Sequence, residues 1–89
     1  MTFDFTNRFK RSRKKIDPQS RKLIDNALVK FEEDYSHPSL NMKKMEGYKN
    51  PDVWEIRASK ELRLTFEWIK PDTFKFRNCG HHDETLKNP

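Results

Sequence analysis

The sequence predicts an α+β domain: a short N-terminal strand, then an antiparallel helix hairpin packed on one face of a mainly antiparallel four-stranded sheet. Three observations lead there. Apolar residues recur at helical spacing from Phe5 to Tyr35, whereas from Val53 to Phe76 they alternate. Asp17-Pro18 breaks the helical half in two, and Pro71-Asp72 places a turn inside the alternating half. At 89 residues the chain supports one core, since a domain of this size buries only roughly 60–68% of the surface exposed by its unfolded form. Both halves must share that core, as a single domain spanning residues 1–89.

The elements follow in order. Thr2-Phe3-Asp4-Phe5 alternates as a short strand does. Thr6 is a helix cap, and the helix it starts runs to about Lys15 with Phe5, Phe9 and Ile16 near one face. Asp17 caps a second helix with Pro18 at its first position. Leu23, Ile24, Ala27, Leu28, Phe31 and Tyr35 then trace an apolar stripe to about residue 35. Ser36-His37-Pro38-Ser39 ends it, because a residue before proline avoids helical geometry.

In the second half, Leu40 to Met45 is weakly strand-like, and Glu46 to Asp52 is rich in turn residues. Three alternating segments follow, near Val53–Ala58, Leu62–Trp68 and Phe74–Cys79. Trp54, Ile56, Leu64, Phe66, Trp68, Phe74 and Phe76 form the face that the helices cover, with Asn78 continuing it. The other face carries Glu55, Arg57, Arg63, Thr65, Lys75, Arg77 and Cys79, and is expected to stay wet.

Charge narrows the classes of function. The net charge is +5, and residues 1–31 hold nine Lys/Arg against three Asp/Glu. Six of the eight residues from Arg8 to Lys15 are basic, so that helix presents either a solvated cationic surface or a contact for a polyanion. No apolar run reaches the roughly 18–20 residues that span a bilayer, and the N-terminus lacks a signal-peptide layout. Cys79 is the only cysteine, which excludes an internal disulfide and fits the reducing cytoplasm. With two glycines in the whole chain there is no phosphate-cradling loop, so no nucleotide cofactor is expected. Cys79, His81, His82 and Asp83 stand too close in sequence to wrap one zinc ion, so no metal is expected either.

Chemistry concentrates after the last strand, in Gly80-His81-His82-Asp83-Glu84. Alternation puts Glu55, Arg57 and Arg63 on the face beside it, where cross-strand neighbours lie about 4.5–5.5 Å apart. Such a set suits cleavage of RNA by its own 2′-hydroxyl. That reaction needs a base, an acid for the departing 5′-oxygen, and cations on the phosphorane. Histidine serves either proton transfer near neutrality, and arginine offers a planar fork to phosphate oxygens. The same residues also fit a plain loop with a carboxylate-capped turn and a solvated Glu–Arg pair.

Val53-Trp54-Glu55-Ile56-Arg57-Ala58-Ser59, the strand Leu62-Arg63-Leu64-Thr65-Phe66 and the ending Asn78 to Glu84 resemble the RelE/ParE toxin superfamily. Lys43, Lys44, Met45 and Gly47 resemble that family's entry into its sheet. The resemblance implies a RelE-like fold and the toxin of a type II toxin–antitoxin module, held inactive by a cognate antitoxin. In the RelE-like branch it implies an mRNA interferase, an endoribonuclease that cuts messenger RNA on the ribosome and blocks translation. The ParE-like branch inhibits DNA gyrase without catalysis, and a degenerate member would only bind its antitoxin.

On this resemblance the catalytic candidates are His82, His81, Arg63, Arg57, Glu55 and Asp83. Arg63 matches a strand arginine used at the scissile phosphate. Arg8, Arg11, Lys14, Lys15, Lys43, Lys44 and Arg77 are the candidates for contact with message and ribosomal RNA. One departure matters: many RelE-like nucleases end with a catalytic tyrosine, and this chain has none beyond Tyr48. Proton transfer then falls to histidine and carboxylate.

Overall fold

A computed structural model describes all 89 residues. Strand β1 (Thr2–Phe5) ends at Thr6, whose Oγ1 accepts the Phe9 N–H at 3.0 Å and starts helix α1 (Asn7–Lys15). Asp17 does the same for α2 (Pro18–Glu33), accepting the Ser20 N–H at 2.9 Å, with Pro18 at the first helical position. Both caps satisfy amide groups that have no partner inside the helix. A 3₁₀ turn (Pro38–Leu40) follows, then β2 (Lys43–Lys44), β3 (Val53–Arg57), β4 (Leu62–Ile69), β5 (Thr73–His81) and a C-terminal helix α3 (His82–Lys87).

The sheet has five strands in the order β1-β5-β4-β3-β2, one more than the sequence predicts for the sheet itself. The extra member is β1, which lies parallel to β5 with Phe3 opposite Phe74 and Phe5 opposite Phe76. Every other pairing is antiparallel. A strand's partner is set by long-range aromatic packing, which local alternation does not encode. The weak strand near Leu40–Met45 shrinks to two residues because Leu40 is drawn into the core from the 3₁₀ turn.

Helices and sheet meet over a core built on phenylalanine. Phe31 of α2 is fully buried, its ring centroid 4.9 Å from Phe74, 5.2 Å from Phe66 and 5.6 Å from Phe3. Edge-on and tilted rings of this kind add to the burial of large apolar area. The two helices are also tied together at the surface. Arg13 donates Nε to Asp25 Oδ1 at 2.8 Å and Nη2 to Oδ2 at 2.6 Å.

That hydrogen bonding holds the Asp25 carboxyl below the usual carboxylate range. A depressed carboxylate stabilises the fold above its unfolded pKa, near about 4, and loses that contribution as pH falls through the folded value. Both side chains are substantially exposed, so we expect only about 0.5–1 kcal/mol from the pair. In urea titrations Asp25→Asn should lower the midpoint at neutral pH, and the gap to wild type should close in acid.

A β-bulge corrects the expected pattern in β5. Thr65 pairs with Asn78 while Phe66 pairs with Phe76, so Arg77 is an extra residue and the parity of the strand shifts. Cys79 therefore lies opposite Leu64 in the core instead of on the polar face. Burial pushes its thiol up to about 12, which leaves it an inert apolar side chain. Asn78, expected to continue the apolar row, instead accepts a hydrogen bond from Ser12 Oγ and donates one to the Asn88 carbonyl.

The face expected to be wet is also largely covered. Helix α3 packs on β4 and β5, and Thr65 is 0% exposed, Arg63 7% and Glu55 8%. Gly80 makes the close approach of α3 possible. Its φ is +143°, and a Cβ there would stand 3.1 Å from Thr85 Oγ1. Gly80→Ala combines backbone strain with a clash, and should cost about 1–3 kcal/mol in unfolding free energy, read by thermal or urea denaturation.

Candidate functional site

The sheet register aligns the candidate residues at one end of β3, β4 and β5. Arg57 pairs with Arg63, Arg63 with Gly80, and Leu62 with His81. Their side chains nonetheless take different directions. Arg63 Nη1 donates to the carbonyls of Ser59, Lys60 and Leu62 at 2.9, 3.0 and 3.1 Å, and Nε lies 3.7 Å from Glu55 Oε1. Its guanidinium is committed to the β3–β4 turn. Burial pulls its pKa down, with the charge of Arg57 adding to the effect, while Glu55 and Glu61 oppose it.

Arg57 is the contrasting case. It makes no hydrogen bond or ion pair, and its buried Nε has no partner. A buried donor without an acceptor is costly, and the side chain lines a groove of about 200 Å³ with Leu23, Asn26, Lys30 and Leu40.

The two histidines are separated. His82 opens α3, its N–H donates to the Glu61 carbonyl at 2.8 Å, and its Nδ1 lies 2.8 Å from Asp83 Oδ1. The His82 ring is half exposed. With Nδ1–H directed at the carboxylate, the neutral form of the ring carries its lone pair on Nε2, the tautomer that a general base needs. His81 lines a groove of about 370 Å³ between α1 and α3, together with Arg8, Lys15 and Glu84. Of the residues expected to converge on one phosphate-sized point, Arg57 and Arg63 pair across the strands, Glu55 lies opposite Thr65 and His82 stands in α3, and their side chains take separate directions.

Solved structures match this arrangement over nearly the whole chain. A YoeB/ParE toxin from Agrobacterium tumefaciens superposes with a TM-score of 0.69 at 12% identity, covering 92% of this chain and 99% of that one. A chain of the RelB–RelE antitoxin–toxin complex from Methanococcus jannaschii gives 0.67 at 26% identity, covering 88% of each chain. A chain of the E. coli RelBE toxin–antitoxin complex gives 0.67 at 21% identity, over 92% and 96%. The fold is that of the RelE/ParE toxin superfamily. No sequence-family profile matches the chain, and no curated protein matches it by sequence.

Within this RelE/ParE fold the basic candidates divide in two. Arg11, Lys14 and Lys15 are exposed along α1, and Lys43 and Lys44 are exposed on the edge strand β2. None of the five makes an ion pair, and they stand apart, since α1 packs on β5 while β2 is the opposite edge of the sheet. Arg8 and Arg77 instead hold the C-terminal segment. Arg8 donates to the carbonyls of Arg77 and Pro89, and Arg77 to the Pro89 carbonyl and the Tyr48 hydroxyl. Tyr48 is thereby brought beside β5, a contact that its turn-rich sequence context does not announce.

No group of three or more His, Cys, Asp or Glu side chains is placed to hold a metal ion. No helix is long and apolar enough to cross a membrane. Glu61 is the contributor that sequence reasoning missed, because it acts through its backbone carbonyl and no side-chain pattern marks it.

Proposed function

We propose that this chain is the toxin of a type II toxin–antitoxin module, acting in the cytoplasm as an endoribonuclease on messenger RNA being translated. The observation that carries the reading is the His82–Asp83 pair on a RelE-like sheet edge. The His82 ring is half exposed, its tautomer suits a base, and Arg57, which has no ion-pair partner, lies two strands from Gly80 in register. His82 Nε2 takes the proton of the 2′-hydroxyl, the 2′-oxygen bonds to the adjacent phosphorus, the P–O5′ bond breaks, and the departing 5′-oxygen takes a proton from solvent water, giving a 2′,3′-cyclic phosphate. Asp83 stabilises the imidazolium that forms, and Arg57 faces the charge on the phosphorane. No cofactor is required.

The exposed lysines and arginine of α1 and β2 suit ribosomal RNA, a contact that weakens with salt. The partner that restrains the toxin is a cognate antitoxin, as RelB accompanies RelE in two of the matched complexes. The test is a pair of assays on purified protein. Arrest of a reconstituted translation reaction with gyrase supercoiling unaffected supports the nuclease. Gyrase inhibition with translation intact would move the assignment to a ParE-like poison, in which the histidines are dispensable.

A further inference from the structure

We infer that Arg63 is a positioning residue: it fixes the β3–β4 turn, and the turn in turn fixes the backbone of His82 at the start of α3. The inference rests on the reading of His82 as the reacting base, and it assigns Arg63 a role other than holding the scissile phosphate.

Three carbonyls of one turn, those of Ser59, Lys60 and Leu62, receive Arg63 Nη1 within 3.1 Å. These oxygens converge where the chain reverses between β3 and β4, and the turn supplies few donors of its own. Its internal bonds are Ala58 N–H to the Leu62 carbonyl at 3.0 Å, Leu62 N–H to the Ser59 carbonyl at 3.3 Å, and Glu61 N–H to Ser59 Oγ at 3.3 Å. A buried cation satisfying several carbonyls is a stronger clamp than any one of these bonds.

The next link is a single backbone bond. Between Lys60 and Leu62, both held by Arg63, stands Glu61, whose carbonyl accepts the His82 N–H at 2.8 Å. His82 belongs to the first turn of α3, where amides have no intrahelical acceptor. The carbonyl that fixes the first residue of α3 is therefore held in place from both sides by Arg63. Glu55 completes the arrangement, 3.7 Å from Nε and 8% exposed, so the arginine's charge is compensated inside the fold.

Nη1 is held by the turn carbonyls and Nε lies beside Glu55, on a side chain that is 8% exposed, so little of this guanidinium is open to a phosphate. Arg57 has no such partner to lose. The two arginines face each other in register and divide the work between them: Arg63 holds the frame and Arg57 meets the anion.

The decisive experiment is NMR on the whole chain and reads no cleavage, so its failure is distinguishable from failure of the nuclease assignment. In Arg63→Lys, which keeps the charge but loses the fork, amide hydrogen exchange at His82 should accelerate about tenfold or more while Phe66 and Phe76 keep their protection. Unchanged protection of His82 in the folded variant would overturn the inference. If Arg63→Lys does not fold, the wild-type guanidinium signals decide. Titration with inorganic phosphate should shift Arg57 and leave Arg63 in place, and a phosphate-dependent shift of Arg63 would refute the assignment.

Discussion

His82→Ala is expected to slow cleavage of translated message by about 10²–10⁴-fold, the usual contribution of a placed proton-transfer group. The fold should survive. The ring is half exposed, its one side-chain partner is Asp83, and the backbone bond to Glu61 does not depend on the side chain. Rates of cleavage on programmed ribosomes, taken with circular dichroism and the urea midpoint, separate lost chemistry from lost structure. His81→Ala should have a smaller effect, since that ring lies on the groove toward α1 and has no carboxylate to orient it. A His82→Ala protein cutting at the wild-type rate would remove the proposed base.

Phe31→Ala is the expected extreme for stability, at about 3–5 kcal/mol. The ring is 0% exposed and meets Phe3, Phe66, Phe74 and Phe76, so its removal opens a cavity bounded by β1, β4 and β5 together. Small domains hold only about 5–15 kcal/mol in total, and this loss would take a large share of it. Urea titration should show a strongly lowered midpoint or no folded baseline. Val29→Ala on the same helix is the control. Val29 is 57% exposed, and its replacement should fall within about 0.5 kcal/mol of wild type.

Local signals explain which parts of this fold were legible in the sequence. Thr6 and Asp17-Pro18 marked the two helix starts because capping is a short-range interaction with few solutions. The alternation of Trp54, Ile56, Leu64, Phe66, Phe74 and Phe76 marked the core face for the same reason. What escaped was non-local. The parallel docking of β1 on β5 depends on rings more than sixty residues apart in sequence. The bulge at Arg77 reversed the facing of Cys79, since a single extra residue inverts a period of two. Helix α3 is six residues long and carries little periodicity, yet it covers the face that alternation left to solvent.

The site follows the same division. Gly80 to His81 ends β5 and His82 to Glu84 begins α3, and the pairing of Arg57 with Arg63 and of Arg63 with Gly80 depends on the bulge that alternation did not reveal. Side-chain direction was not legible. Arg57 and Arg63 are equivalent in pattern, and only the carbonyls of the β3–β4 turn distinguish them. The adjacent histidines likewise part because β5 ends and α3 begins between them. Gly80 has a physical role in this: with φ at +143° and Thr85 over its α-carbon, it is the position that lets α3 turn back onto the sheet.

The central claim is that this RelE-like fold cuts messenger RNA during translation, with His82 as the base. Primer extension on one message, incubated with the protein in the presence and absence of translating ribosomes, tests it most directly. Cuts confined to the translated message, ending in 2′,3′-cyclic phosphate and slowed about 10²–10⁴-fold by His82→Ala, are expected. An uncut message from a reaction that the protein nevertheless arrests would contradict that claim.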